Sequence, residues 1–194
     1  MVFYYEQMIV EREQQRHRYY LQIVSDETKR LSRLVRSMLD ISKLQDQQVP
    51  EEQKIHFDLE ECCGQVLITF EKKITDKKLE VDVDLPLHPV YTMANQDAIT
   101  QVIYNLIDNA VKFTPEKGTI RIFAENDGET TRVSIRNSGP GISEEEIARI
   151  FERFYKSDKS RGLDKSGVGL GMYISRTIID AHGENIWAES ECGK

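Results

Sequence analysis

The chain has 194 residues, enough for one well-packed domain and a smaller appendage. Its 26 basic and 33 acidic residues give a formal charge of −7, which argues against a nucleic-acid-binding surface. No apolar run approaches the ~20 residues of a membrane span, and the N-terminus lacks the apolar core of a signal peptide. Three cysteines without metal-type spacing fit a reducing, cytosolic setting, with Cys62 and Cys63 as a packed pair of thiols.

The first segment, about residues 5–47, has the pattern of an amphipathic helix. It contains no Gly or Pro, and its apolar residues recur at three- and four-residue steps. These residues are Ile23, Leu31, Leu34, Val35, Met38, Ile41 and Leu44. Such a stripe needs a partner, either in the same chain or in a dimer. A polar stretch at 45–52, which includes Pro50, ends the helix and predicts an interdomain linker.

After this linker the pattern changes to mixed α/β. The predicted elements are a helix at 58–76, strands at 78–85 and 90–94, a helix at about 96–112, strands at 119–125 and 130–137, a helix at about 169–182 and a strand at 185–189. Asp58 is the expected N-cap of the first of these helices. Asn126-Asp127-Gly128 between two alternating segments is a strong hairpin signal. One α/β domain behind a helical appendage is the expected organisation.

The helix at 96–112 carries the most informative polar residues. Asn105, Asn109 and Lys112 are spaced i, i+4, i+7, so they project from one side of the helix. Two amide oxygens can ligate Mg²⁺ without quenching its charge, and a neighbouring lysine suits phosphate oxygens. The alternative is a helix with two buried asparagines bonded to nearby backbone. Further phosphate-binding elements in the chain would favour the metal–phosphate interpretation.

Two glycine-rich clusters supply such elements. Asn137-Ser138-Gly139-Pro140-Gly141-Ile142 follows a strand, where glycine lets the backbone approach a ligand and the last strand side chain could read a base edge. Gly167-Val168-Gly169-Leu170-Gly171 opens a helix, where exposed N–H groups and the helix dipole favour a phosphate chain. This second cluster follows a polar loop instead of a strand and lacks a closing Gly-Lys-Ser/Thr. A dinucleotide fold is therefore disfavoured, and a P-loop is excluded.

Between the clusters lies Phe151-Glu152-Arg153-Phe154-Tyr155-Lys156, followed by a polar stretch to Ser166. Its composition predicts a mobile flap, anchored by Phe151, Phe154 and Tyr155, whose cations could close over phosphates. The alternative is a solvated loop without a ligand. Three phosphate-compatible elements in one chain make that alternative weak.

In this order, the asparagine helix, Asn-Ser-Gly-Pro-Gly-Ile, Phe-Glu-Arg-Phe-Tyr-Lys and Gly-Val-Gly-Leu-Gly resemble the N, G1, F and G2 boxes of sensor histidine kinases, which are GHKL ATPases. Residues 20–44 resemble the second helix of the dimerisation and phosphotransfer domain, and 181–190 match the usual ending. The resemblance implies an α+β fold, namely a two-layer α/β sandwich that binds ATP at 54–194. It also implies a partial dimerisation region at 1–47, with its long helix at about 19–45.

The resemblance also implies a role for each matching residue. Asn109 would ligate Mg²⁺ with support from Asn105, Lys112 and Lys156 would contact the phosphates of ATP, and Phe113 would lie against the adenine. Asn105, Asn109, Lys112 and Lys156 would be the catalytic residues. The other implied nucleotide contacts are Asn137, Gly139, Gly141, Ile142, Tyr155, Gly167, Val168, Gly169, Leu170 and Gly171. Residues from about 142 to 166 would form an ATP lid.

The chain departs from the family pattern in three ways. Asn137 stands where the family usually has aspartate, so we expect adenine binding to be weaker by about 1 kcal/mol. None of the four histidines, His17, His56, His88 and His182, is followed by Glu as in the phosphoacceptor box. The chain also ends where the family continues into a last strand. We therefore expect part of a longer kinase that binds Mg·ATP but does not phosphorylate itself.

The sequence thus predicts the catalytic portion of a histidine kinase, which transfers the γ-phosphoryl of ATP to a histidine for relay to a response-regulator aspartate. Expected partners are the receiver domain of that regulator and a second copy joined through the N-terminal helix. Neither nucleic acid nor a membrane is an expected contact, and any membrane anchor of the parent would lie upstream. Two alternatives stay open: an anti-sigma-type serine kinase of the same fold, and a non-catalytic module whose nucleotide site survives as scaffold.

Overall fold

The computed structural model describes residues 13, 16–25, 28, 31, 32, 35, 49–84, 89–126, 130–157 and 167–191. The chain divides into two units, residues 1–40 and 41–194. In the first unit every described residue is helical, in agreement with the predicted amphipathic helix. Ile23, Leu31 and Val35 of its apolar stripe are exposed, whereas the other stripe positions lie outside the described residues. None of the described helices has the length and apolar character to cross a bilayer.

The second unit contains five strands and four α-helices among its described residues. In chain order they are β1 (Ile55–Asp58), α1 (Leu59–Asp76), β2 (Glu80–Asp84), β3 (Tyr91–Ala94), α2 (Gln96–Phe113), β4 (Thr119–Asn126), β5 (Thr131–Asn137), α3 (Glu144–Ile147) and α4 (Gly171–Ala181). A 3-10 turn at Glu51–Gln53 precedes β1. Within the predicted linker, Val49 is buried and its N–H donates to Ala181 O at 3.1 Å.

The strands form two sheets. β1 and β3 pair antiparallel, with Ile55 opposite Ala94. The larger sheet has the order β2-β4-β5, in which β2 is parallel to β4 and β4 is antiparallel to β5. Ile122 in the middle strand lies opposite Val83 on one side and Ile135 on the other. The predicted hairpin is therefore confirmed, although its turn at 127–129 lies outside the described residues.

Helix α2 packs between α1 and α4 and also contacts β5, so the helices form one layer and the larger sheet forms the other. The core lies between these layers, where Phe70, Ile107, Ile120 and Ile122 are at most 1% exposed. This arrangement is the α+β, two-layer fold that the family resemblance implies. Because each helix is apolar on only one side, burial against the sheet leaves the other side of α2 for polar residues.

The adjacent cysteines are part of this core. Cys62 and Cys63 are buried free thiols on α1, as the sequence predicts. The Cys62 Sγ lies 3.2 Å from Thr100 Oγ1 on α2. Burial raises the pKa of the Cys63 thiol to about 12, so this group stays protonated and packs as a small apolar side chain.

One predicted strand is absent from the structure, and one strand of the structure was not predicted. The predicted strand at 185–189 is wrong, because the described residues 184–191 form neither helix nor strand. There the Arg132 guanidinium of β5 lies 5.2 Å from the Trp187 ring centroid, and Trp187 Nε1 donates to Glu189 Oε1 at 3.1 Å, so side-chain contacts hold Trp187 beside the sheet. Strand β1 was not predicted, because four residues before an N-cap are too few to show alternation. Asp58 caps α1 as expected, with its side chain accepting the Glu60 N–H.

Candidate functional site

Asn105 lies on the polar side of α2 and connects this helix to the start of α4. Its Nδ2 donates to Gly171 O at 3.1 Å and to Ser175 Oγ at 3.3 Å. Its Oδ1 accepts from Gln101 Nε2 at 3.0 Å. Ser175 is fully buried and also donates to Gly171 O at 3.0 Å. The second glycine cluster is therefore held directly beside the asparagine face, and Ser175 is a supporting residue that the sequence analysis missed.

One turn further along α2, Asn109 is half-buried, and its side chain forms no hydrogen bond to another described residue. Its carboxamide therefore keeps its oxygen for a ligand on this side of the helix. The alternative of an asparagine bonded to nearby backbone applies in part to Asn105, which bonds Gly171 O, but not to Asn109. The two asparagines thus differ: Asn105 holds α4, while Asn109 presents an amide oxygen of the kind that suits Mg²⁺.

Lys112 continues the same face and is paired with a carboxylate. Its Nζ lies 2.5 Å from Asp108 Oδ2, and Lys73 Nζ of α1 lies 3.3 Å from Asp108 Oδ1. Asp108 is thus shared by two lysines at the edge of the site. Asp108 was not among the predicted site residues, although its i, i+4 spacing to Lys112 is the usual signal for a helical ion pair.

The first glycine cluster passes the C-terminal end of α2. A Cβ on Gly139 would lie 3.3 Å from Phe113 O and 3.3 Å from Asn137 Nδ2, so the loop runs close to the helix end. Gly141 has φ +69°, a conformation that favours glycine. Beyond it, Ile142 N–H donates to Ser190 Oγ at 2.9 Å. Asn137, Phe113 and the loop therefore meet at one end of α2.

The second glycine cluster packs on the phenylalanine-rich segment. Gly169 has φ +76°, and a Cβ there would lie 2.7 Å from Tyr155 O and 2.9 Å from the carbonyl carbon of Phe154. Phe154 itself has φ +62°. On the other side of the cluster, a Cβ on Gly171 would lie 3.7 Å from Asn105 Cγ. Close packing of backbone therefore joins the segment at 154–155, the second glycine cluster and α2.

Other predicted residues lie in the same segments. Leu170 is buried, and Gly167, Val168, Tyr155 and Lys156 are half-buried. The predicted lid at 142–166 is described only up to residue 157, and the remainder lies outside the described residues. Its start is ordered by a capping box in which Ser143 Oγ accepts the Glu146 N–H and a Glu146 carboxylate oxygen accepts the Ser143 N–H.

The starts of the helices show a contrast. Side chains of Asp58, Asn95 and Ser143 accept N–H bonds at the starts of α1, α2 and α3. The residue before α4, Leu170, offers no side-chain hydrogen bond. Among the described helices of the second unit, α4 therefore lacks the N-cap side chain found at α1, α2 and α3, and its first turn lies beside Asn105. An uncapped helix start next to glycine backbone is an arrangement that binds anions.

Comparison with known proteins places these features in a wider group. Residues 94–194 match the family described as histidine kinase-, DNA gyrase B-, and HSP90-like ATPase. The chain is 32% identical over 186 residues to the sensor histidine kinase WalK of Bacillus subtilis, an alignment that covers 90% of this chain and 29% of WalK. It is 39% identical over 163 residues to the adaptive-response sensory kinase SasA of Gloeothece citriformis, with 82% of this chain and 40% of SasA covered. The chain thus spans less than half the length of these relatives.

Solved structures show the same similarity. The catalytic domain of histidine kinase ThkA superposes with a TM-score of 0.63 at 36% identity, covering 69% of this chain and 85% of that domain. ThkA in complex with the response regulator TrrA superposes with a TM-score of 0.65 at 32% identity, covering 82% and 44%. Full-length ShkA in complex with AMPPNP gives a TM-score of 0.69 at 26% identity, covering 89% and 36%.

Proposed function

Since this chain belongs to the family of histidine kinase-, DNA gyrase B- and HSP90-like ATPases, we propose that it is the ATP-binding catalytic portion of a sensor histidine kinase. The whole kinase would transfer the γ-phosphoryl of ATP to a histidine, and from there to an aspartate of a response regulator. The uncapped start of α4 beside the polar face of α2 is the observation that carries this proposal. A phosphate chain there would take the place of the missing N-cap.

The side chains at this place fit a magnesium–phosphate complex. Asn109 offers a neutral oxygen, and Mg²⁺ is commonly held by few protein ligands together with substrate phosphates. The part of the chain that the structure describes contains no cluster of three His, Cys, Asp or Glu side chains able to hold a metal by itself. We therefore propose that Asn109 ligates Mg²⁺ and that phosphate oxygens complete much of its coordination sphere.

The other predicted residues have separate proposed roles in nucleotide binding. Lys112 and Lys156 would neutralise charge on the phosphates, and Asn105 would keep α2 and the start of α4 at a fixed separation. Phe113 and Asn137 would border the adenine at the C-terminal end of α2. Bound ATP supplies the transferable phosphoryl group. Because Lys112 already pairs with Asp108, nucleotide binding would draw its ammonium group partly away from that carboxylate.

The acceptor histidine would belong to a segment outside this chain's catalytic unit. His17 lies on the N-terminal helix, and its Nδ1 is 2.9 Å from Glu13 O of the same helix. We propose that this chain does not phosphorylate itself, because none of its four histidines is followed by Glu as in the phosphoacceptor box. The exposed apolar residues Ile23, Leu31 and Val35 support pairing of two copies through this helix. A receiver domain is the proposed phosphoryl acceptor in the cytoplasm, in line with the ThkA–TrrA complex.

Calorimetric titration with a non-hydrolysable ATP analogue, with and without Mg²⁺, tests this proposal. Wild-type protein is expected to show saturable binding that depends on Mg²⁺. Asn109→Ala should weaken that binding at least about tenfold and remove the dependence on Mg²⁺, because the metal loses its protein ligand. Asn185→Ala, a change of the same kind at an exposed residue outside the site, is the control. Absence of binding by folded wild-type protein would indicate a scaffold instead, whereas full Mg²⁺-dependent binding by Asn109→Ala would contradict the role of Asn109 as the metal ligand.

A further inference from the structure

We propose that Lys77 is a positioning residue for nucleotide binding, because its side chain holds the end of α2 that carries Lys112 and Phe113. This inference rests on the proposed function. Lys77 lies at the end of α1 and does not itself border the proposed site. It would act on the site through the backbone at the end of α2. We refer to its contacts with the end of α2 as the Lys77 clasp.

Three carbonyl oxygens surround the Lys77 ammonium group. Its Nζ lies 2.8 Å from Val111 O, 3.0 Å from Lys112 O and 2.7 Å from Thr114 O. An ammonium group has three N–H donors and no acceptor, so this geometry uses its full capacity. The last carbonyls of a helix have no partner within the helix, and positive charge is favourable there. The Lys77 clasp thus completes the C-terminal end of α2.

The backbone of Lys77 holds the following turn as well. Lys77 O accepts the Lys117 N–H at 2.9 Å. The side chain and main chain of one residue therefore fix both ends of the segment from 111 to 117. Between them, Thr114 is 1% exposed and its Oγ1 donates to Ala110 O at 2.6 Å.

This segment borders the proposed nucleotide site on two sides. The carbonyl group of Lys112 is part of the Lys77 clasp, and its ammonium group belongs to the proposed site. The position of the Lys112 backbone therefore determines where its ammonium group can lie. Phe113 O faces Gly139 of the first glycine cluster at the distance of a tight contact, 3.3 Å from an added Cβ. Loosening the clasp would therefore move both the phosphate-binding lysine and the wall next to the adenine.

The electrostatics favour a role that depends on the charge of Lys77. Burial lowers the pKa of this ammonium group, and Glu116, in the turn after α2, partly opposes the effect. Among the described residues, Glu116 is the charged side chain that favours the protonated form of Lys77. As pH rises, Lys77 therefore loses its third N–H donor earlier than an ordinary lysine does. One of the three carbonyls then loses its partner.

The test compares Lys77→Met with Lys72→Met, a matched change at an α1 lysine whose side chain is 86% exposed. Titration with Mg²⁺ and a non-hydrolysable ATP analogue gives the affinity, and amide hydrogen exchange at residues 111–118 reports the end of α2. Lys77→Met is expected to weaken binding roughly tenfold or more and to speed exchange locally. Lys72→Met should leave both unchanged. Wild-type affinity in Lys77→Met would overturn the positioning role alone, whereas no binding by wild-type protein would overturn the proposed function itself.

A pH series provides a second measurement that needs no folded Lys77→Met. The affinity of wild-type protein should begin to fall at a pH below the ordinary pKa of lysine, about 10.4, because burial lowers the pKa of Lys77. Lys77→Arg keeps a permanent charge and at least three donors, so its affinity should fall less over the same pH series. Equal pH dependence of the wild-type protein and Lys77→Arg would contradict a role that depends on the ammonium group.

Discussion

Helix α2 and the connecting segment at 138–157 border the same proposed site, yet different interactions determine their conformations. One side of α2 is buried, through Val102, Ile103, Ile107, Ala110 and Val111. Polar groups then fix both ends of this helix. At its start, Asn95 accepts the Ala98 N–H with its side chain and donates its own N–H to His182 Nε2 at 3.2 Å. At its end, Lys77 binds the last carbonyls.

The connecting segment has no fully buried residue among those described at 138–157. Its course depends on backbone conformation instead. Gly141 and Phe154 both have positive φ, and the Ser143 capping box starts a helix of one turn. Closely packed backbone, as at Gly169 against Tyr155, replaces side-chain burial. The comparison shows that α2 provides a fixed polar face, whereas the segment is shaped by a few backbone positions that tolerate little change.

Gly169→Ala should have the largest effect, because Gly169 packs against the connecting segment where the backbone contacts are tightest. The new Cβ would combine an unfavourable φ with backbone contacts below 3.0 Å. A non-glycine residue in this conformation costs about 1–2 kcal/mol before any clash. We expect nucleotide affinity to fall by roughly 30-fold or more, as measured by calorimetric titration.

Gly183→Ala is the matched control for this change. Gly183 has φ +77°, but an added Cβ meets nothing within 4 Å. It should therefore show the conformational cost alone, as a small loss of stability with unchanged nucleotide affinity. If both alanine variants bound nucleotide equally well, the contact between Gly169 and the backbone at 154–155 would not be important for the site.

Asn105→Ala tests the connection between α2 and the glycine cluster that faces the connecting segment. The change removes the donor to Gly171 O and leaves the buried Ser175 with fewer partners. We expect a loss of about 1–3 kcal/mol in the free energy of unfolding, measured by urea denaturation. Nucleotide affinity should fall as well, since the start of α4 is no longer held beside Asn109.

Gln101→Ala provides the comparison for Asn105. Gln101 is exposed and donates to Asn105 Oδ1 from the preceding turn of α2. Its removal should cost no more than about 0.5 kcal/mol, because an exposed hydrogen bond is readily replaced by water. Equal destabilisation by the two changes would mean that the bonds to α4 add nothing to the stability of the unit.

The sequence predicts α2 better than its surroundings for a physical reason. Periodic burial and the spacing of Asn105, Asn109 and Lys112 are local signals, and the helix follows from them. The Lys77 clasp joins residues that are 34 to 37 positions apart, so no local pattern could indicate it. The wrong strand at 185–189 has a related cause, since alternation shows which side chains prefer burial but does not show whether a strand partner is present.

The site itself was also only partly predictable. The glycine clusters indicate where backbone can approach a ligand, and the structure brings the second cluster against both Asn105 and Tyr155. The positive φ of Phe154 was not predictable, because a phenylalanine gives no signal for that conformation. Asp108 carried a usable signal, its spacing to Lys112, whereas the burial of Ser175 arises only when α4 packs on α2.

Asn137→Asp, at the boundary between β5 and the connecting segment, should have the smallest effect. Asn137 is exposed and makes a weak contact to Ser138 O, 3.4 Å from its Nδ2, so the change should leave the unfolding free energy nearly unaltered. A carboxylate at this position would accept a hydrogen bond from the adenine amino group with charge assistance. We expect ATP binding to tighten by up to about 1 kcal/mol, roughly fivefold in affinity, or to stay unchanged. A large loss of affinity in the titration would mean that the adenine does not lie at the end of β5, and that the first glycine cluster contacts another part of the nucleotide.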